Sequence, residues 1–239
     1  MSFDWNKHLE NAINFISKKF NLEIKNKILF YEALTHKSFL YFYPNYPYGY
    51  NERLEFLGDA ILEFIVSLVL FKKYPNFQEG ELTLIRASLI NRDKLADLAL
   101  DLGLDKCILM GRNINEKGLR TVLGNAFEAL IGAIFLDNDL PTVEKIIIEN
   151  VLKDLEEIVK KGLYKDPKSR LQEILQEKYQ THPSYMLIKE EGPAHKKTFV
   201  VGVYLNEKLL SVGEGSNKQE AEINAAEKAL KKILKATQN

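Results

Sequence analysis

The chain has 239 residues, 46% of them hydrophobic and 28% charged, with 33 Lys/Arg against 33 Asp/Glu. That is enough apolar material for one or two packed domains, and the balance excludes a strongly basic or acidic chain, so any basic patch must be local. The single cysteine, Cys107, excludes an internal disulfide framework and predicts a reducing, cytoplasmic setting.

The first residues, MSFDWNKHLENAINF, carry early acids and no long apolar core, so no secretory signal is expected. Apolar residues at Ile13, Phe15, Ile16 and Phe20 predict a helix from Leu9 to Phe20, and Ile28 to Leu34 continues in that style. After THKSF, the segment YFYPNYPYGYN (41–51) reads as a loop. Next comes NERLEFLGDAILEFIVSLVLF (51–71), apolar almost all round and therefore expected to be buried. From Leu54 to Phe71 its charges are Glu55, Asp59 and Glu63; Glu52, Glu55 and Asp59 share one helix face. The longest greasy run, Ile61 to Phe71, is too short for a membrane span.

Two further helices are expected over 79–91 and 92–102, then a loose polar stretch over 111–118. The helix NAFEALIGAIFL (125–136) again carries a single charge, Glu128, with Asn125 one turn before it. Buried charges need partners. Carboxylates converging from two oily helices form a natural cage for a hard divalent cation such as Mg²⁺. A last helix is expected from Thr142 to Lys160, which makes residues 1–160 an all-α domain.

Residues 161–167 (KGLYKDP) read as a short linker. Residues 168–238 have a different rhythm: an amphipathic helix (SRLQEILQEKYQ), three strand candidates (SYMLIKEEG, KTFVVGVYLN, KLLSVGEGS), and a helix opened by Asn217 as its cap. The order is α-β-β-β-α, a small α+β domain. Residues 166–239 hold 12 Lys/Arg and 10 Asp/Glu, and the rest 21 and 23, so neither part is strongly charged.

These segments resemble a known family. NERLEFLGDA is similar to the signature of ribonuclease III, the endonucleases that cut double-stranded RNA. LTHKSF precedes it, and EGELTLIRASLIN and FEALIGAIFLD follow in the family's order. LQEILQ, GPAHKKTFVVGV and GEGSNKQEAEINAAEKAL resemble a double-stranded RNA-binding domain. The resemblance implies an all-α endonuclease domain (1–160), a linker (161–167) and an α-β-β-β-α RNA-binding domain (168–238).

It further implies that Glu55 and Glu128 are metal ligands, that Asp59 belongs to the same acidic cluster, and that Glu52 meets RNA or a metal-bound water. Asp59 and Glu128 are the expected catalytic residues. Asn125 stands where the family has Asp; its amide oxygen can still coordinate but brings no charge, so metal affinity should fall. Phe56 is either core or, by resemblance, the anchor of a homodimer. Glu63 is expected to be exposed or paired with a Lys or Arg, Arg53 and Arg86 are alternative partners for buried acids, His36 is structural or near the site, and Cys107 is a small buried apolar residue.

Double-stranded RNA is read through its phosphates and 2′-hydroxyls across the minor groove. Gln172 and Glu173 on the first helix, His195 in the loop joining the first two strand candidates, and Lys218 at the start of the last helix suit those contacts. Lys196 and Lys197 fit either strand-edge lysines or phosphate contacts. One lysine at that helix start, where the family often has more, predicts weaker binding with a shallower salt dependence.

The expected activity is Mg²⁺-dependent cleavage of double-stranded RNA, with Mn²⁺ as a substitute ion. A homodimer would leave 5′-phosphate and 3′-hydroxyl ends with short 3′ overhangs, on precursors of ribosomal and transfer RNA and on structured messages. The rival is a double-stranded RNA binder whose site is weakened or inactive, a reading that Asn125 favours.

Overall fold

A computed structural model describes residues 3–193 and 197–236, the last three without side chains. The chain forms two units, residues 1–159 and 160–239. The first contains helices α1 (Trp5–Phe20), α2 (Lys27–Ala33), α3 (Glu52–Lys73), α4 (Glu79–Leu89), α5 (Arg92–Asp101), α6 (Glu116–Asp137), α7 (Leu140–Asn150) and α8 (Leu155–Lys160).

Capping chemistry sets several helix starts. The Asp4, Asn91 and Asp139 carboxyl or amide oxygens accept from Lys7 N, Lys94 N and Thr142 N. Asn115 caps α6 in the same way, accepting from Gly118 N at 2.8 Å. That helix therefore begins at Glu116, inside the stretch read from sequence as loose.

α6 is the centre of the unit, with Phe127, Leu130, Ile131 and Ile134 fully buried and α2, α3 and α5 packed around it. It is long and apolar enough to cross a membrane by length and composition, unlike the 61–71 run, but that apolarity is spent on the core. Its C-terminal Asp137 accepts from Lys25 N and Asn26 N at 2.9 and 2.7 Å, tying the end of α6 to the α1–α2 connection.

Two expectations are corrected here. The single helix over 142–160 is two: α7 closes with Leu152 N bonded back to Ile147 O, and the Asn150 amide competes for Ile146 O. α3 is not buried all round. Phe56 is 80% exposed, Phe64 54% and Phe71 70%, an apolar stripe beside a groove of about 520 Å³ lined by Leu70, Phe71, Tyr74, Phe77 and Leu82. Hydrophobicity alone does not separate a core-facing side from one that faces a partner.

In the second unit, α9 (Pro167–Tyr179) precedes β1 (Pro183–Glu191), β2 (Thr198–Leu205), β3 (Lys208–Gly215) and α10 (Lys218–Ala236). The sheet is antiparallel in the order β1-β2-β3. Ala221, Ala225, Ala226 and Ala229 bury α10 against it with Leu171, Leu175 and Val203. Ser211 Oγ donates to Ala225 O, and the Asn217 amide oxygen accepts from Glu220 N, so the predicted cap is present.

Candidate active site

Two glycines bring the acids together. A Cβ built on Gly58 would sit 1.7 Å from the Glu128 carbonyl oxygen, and one on Gly132 would sit 2.4 Å from that of Leu54. α3 and α6 therefore cross backbone on backbone, which residues with side chains cannot do. Glycine inside a helix costs about 1 kcal/mol relative to alanine, and the close crossing offsets that cost. Its consequence is that Glu55 and Asp59 on α3 come near Asn125 and Glu128 on α6.

The electrostatics record that proximity. Burial pushes the Glu128 carboxyl up to about 7, and the negative charges of Asp59 and Glu55 add to it; Arg92 offsets only part. Glu55 is also raised, first by burial and then by Glu52 and Asp59, while a side-chain hydrogen bond from Asn125 lowers it. Asp59 is raised by burial and by Glu63. Glu55 and Glu128 are half-buried, whereas Glu52, Asp59 and Glu63 are exposed, so the cluster opens to the surface. Among the described residues, none of the ion pairs within 4 Å involves Glu55, Asp59, Glu63 or Glu128.

The donor set suits a hard divalent cation. It consists of oxygen donors with unneutralised negative charge, which a cation would compensate. It is not a finished chelate: among the described residues no three His, Cys, Asp or Glu side chains are gathered into a metal-holding group. An ion that keeps waters and takes phosphate oxygens needs no such closed cage. Glu55, Asp59, Asn125 and Glu128 are the side chains that could hold it.

Around the cluster the structure assigns roles that sequence left open. Lys37 pairs with Glu52 at 2.7 Å. His36 packs in place by holding Ser38 Oγ at 2.7 Å, and burial followed by Lys37 lowers its pKa. Among the described residues Arg86 makes no ion pair with an acid; its guanidinium donates to Ser67 Oγ at 2.8 Å. Arg53 is exposed and makes no ion pair among the described residues. Cys107 is 3% exposed, and burial pushes its thiol up to about 11. Sequence reasoning missed Gly58, Gly132, Lys37 and Arg92. The two glycines carried a signal, since each interrupts a long apolar helix.

In the second unit Gln172 and Glu173 are exposed on α9, and Glu173 is engaged by Lys165 at 2.6 Å. Lys218 is exposed at the first turn of α10. Lys197 pairs with Glu190, whose carboxyl it lowers, with a further contribution from Lys218. His195 and Lys196 lie outside the described residues. Lys168, not singled out from sequence, bridges to Glu222 at 2.5 Å and lies over the Tyr185 ring.

Comparison with known proteins bears on both units. Residues 26–155 match the Ribonuclease-III-like family, and residues 167–233 match the double-stranded RNA binding motif. Ribonuclease 3 of Syntrophomonas wolfei is 44% identical, covering 84% of this chain and 87% of its own. Ribonuclease 3 of Enterococcus faecalis is 40% identical, covering 91% and 96%. Among solved structures, the nuclease domain of ribonuclease III from Campylobacter jejuni superposes with a TM-score of 0.52 at 38% identity, over 59% of this chain and 96% of that one; it was described for flexibility in a region involved in dimer formation.

Proposed function

Because the chain belongs to the ribonuclease III family of endoribonucleases specific for double-stranded RNA, we propose that it cuts RNA duplexes at the α3–α6 crossing with the help of Mg²⁺. The observation that carries this reading is Glu128: a half-buried carboxyl raised to about 7 by burial and by Asp59 and Glu55, with no cation within ion-pair distance among the described residues. Buried acids need partners, and a half-buried, strongly perturbed cluster without one is a signature of a functional site.

A divalent ion held there would supply an activated water, a shield for the phosphate charge and help for the leaving oxygen. The chain's part is positional. Glu55 and Glu128 would hold the ion, with Asn125 offering its amide oxygen, while its hydrogen bond orients Glu55. Asp59, more exposed than either, is the acid best placed to take a proton at the reacting face. Glu52, fixed by Lys37, meets the RNA backbone or a water at the rim. In the second domain Gln172, Glu173, His195 and Lys218 meet ribose hydroxyls and phosphates. The products carry 5′-phosphates and 3′-hydroxyls with short 3′ overhangs, and the substrates include ribosomal RNA precursors and structured messages in the cytoplasm. The exposed stripe headed by Phe56 is where a second copy docks.

The second reading, a duplex binder that no longer cuts, draws on Asn125 in place of Asp. One experiment separates the two. A long perfect RNA duplex is incubated with the full-length protein in Mg²⁺ and in EDTA. The nuclease reading predicts cleavage in Mg²⁺ alone, with Asp59→Ala and Glu128→Ala reducing it by at least about a thousandfold while duplex affinity in EDTA is kept. Intact, retarded duplex in Mg²⁺ would establish the binder instead.

A further inference from the structure

The loop over residues 41–51 holds more aromatic surface than its fold requires. Half of it is anchored. Phe39 and Tyr46 are buried, Phe39 stacks on Tyr43 at 4.5 Å between ring centres, and Trp5 meets Tyr43 and Tyr46 at 5.5 and 6.2 Å. Tyr46 Oη shares a 2.7 Å hydrogen bond with the buried Thr35 hydroxyl. Backbone bonds from Phe42 N, Tyr43 N and Tyr46 N close the turns.

The other half faces water. Tyr41 is 84% exposed, Phe42 49% and Tyr50 41%. Burying these rings would be favourable, yet among the described residues they stay largely exposed, with Arg112 lying over Phe42. Their backbone is tied down by the anchored half of the loop, so less freedom is lost when something stacks on them.

Their neighbours are cationic and belong to the rim of the acidic cluster. Arg112 lies over the Phe42 ring at 5.8 Å from its centre and has no carboxylate partner among the described residues. The segment carrying Arg112 is fixed to the loop's base, with Gly111 N donating to Ser38 Oγ at 2.8 Å. Lys37 is held charged by Glu52 and lies near Tyr41 and Tyr50. Glu52 in turn acts on Glu55.

Exposed ring faces beside guanidinium and ammonium groups suit nucleotides whose bases are free to stack. A perfect duplex hides its base faces and offers edges, hydroxyls and phosphates; unpaired nucleotides offer the faces themselves. We propose that Tyr41, Phe42 and Tyr50, with Arg112, form a stacking platform for unpaired nucleotides that flank or interrupt the duplex being cut. This rests on the nuclease reading for its place beside the site, and it makes the loop a selector of where along a structured RNA the enzyme acts.

The test compares a blunt duplex with the same duplex carrying unpaired nucleotides next to the cut. Full-length wild type and Tyr41→Ala/Tyr50→Ala are measured for kcat/KM in Mg²⁺ and for affinity in EDTA. The platform predicts that wild type prefers the interrupted RNA by both measures. The double variant loses that preference by on the order of tenfold and cuts the blunt duplex as before. Tyr41→Trp, with Tyr50 intact, retains it. No preference in wild type overturns the proposal, as does a preference that survives the double variant. Equal loss on both RNAs, or a shift from dimer to monomer in the variant, also overturns it, because the loop would then serve the fold, the duplex or a second copy. Should neither RNA be cleaved by wild type, the nuclease reading fails on its own, and the affinity ratio in EDTA still decides the platform.

Discussion

The α3–α6 crossing and the surface of the second domain hold acids in opposite ways. On the second domain Glu190 is paired with Lys197, and Glu220 accepts from Ser216; both carboxyls are lowered. At the crossing Glu55, Asp59 and Glu128 are raised. Glu10, in the same domain as the crossing, behaves like the surface acids: Lys27 and Tyr31 satisfy it and hold it low. The contrast is therefore not between domains but between acids the fold has satisfied and acids it has left waiting. The crossing gives up some stability to keep its charges available.

The strongest way to break the contrast is to separate the helices. Gly58→Ala places a methyl group against the Glu128 carbonyl, so α3 and α6 must move apart. We expect a loss of about 3 kcal/mol or more in unfolding free energy and near-complete loss of duplex cleavage. Denaturant unfolding and a cleavage assay check this together; a fully active, equally stable variant would show that the close crossing is not what assembles the site.

Adding charge sharpens the contrast. Asn125→Asp removes the amide that lowers Glu55 and supplies another acid. It should reduce the Mg²⁺ concentration needed for half-maximal cleavage by roughly tenfold, with a Coulombic gain of about 1 kcal/mol or more behind it. A metal titration in which the variant needs as much Mg²⁺ as wild type, or more, counts against Asn125 as a ligand.

The smallest effect belongs to the paired surface. Lys218→Ala at the start of α10 should weaken duplex binding uniformly across sequences and lower the salt slope by about one. Affinities measured over a salt series test it; an unchanged slope would mean that Lys218 meets no phosphate.

The elements were legible where periodicity and capping agreed. The α-β-β-β-α order of the second domain and the Asn217 cap follow from residue pattern, and the unpaired acids of α3 and α6 stood out as charges in greasy helices. What was hidden depends on tertiary packing. The outward face of Phe56, Phe64 and Phe71 reads as core because an exposed apolar stripe and a core have the same composition. Lys37 sits 15 residues before Glu52, and only the fold of the intervening loop brings them to 2.7 Å. Arg86 lay as open to pairing with an acid as with Ser67, since spacing along the chain carries no information about which element lies opposite. The early start of α6 was missed because Asn115 lies inside a polar stretch that resembles a loop until its capping bond is seen.

Under the proposed function, Glu128 is left unsatisfied so that a cation can take it. Folded, its carboxyl sits near 7 against an ordinary value of 4.5. The folded state thus holds a proton that the unfolded chain has released. Stability should be fullest below about 4.5 and fall by roughly 1–3 kcal/mol as pH rises to about 7, and Glu128→Gln should remove that slope. The most direct measurement is an NMR titration of the Glu128 carboxyl in the full-length protein, with and without Mg²⁺, assigned through Glu128→Gln. We predict a midpoint near 7 without the ion and a clear downward shift with it. A midpoint in the ordinary carboxylate range, or one that Mg²⁺ leaves unmoved, would contradict the account.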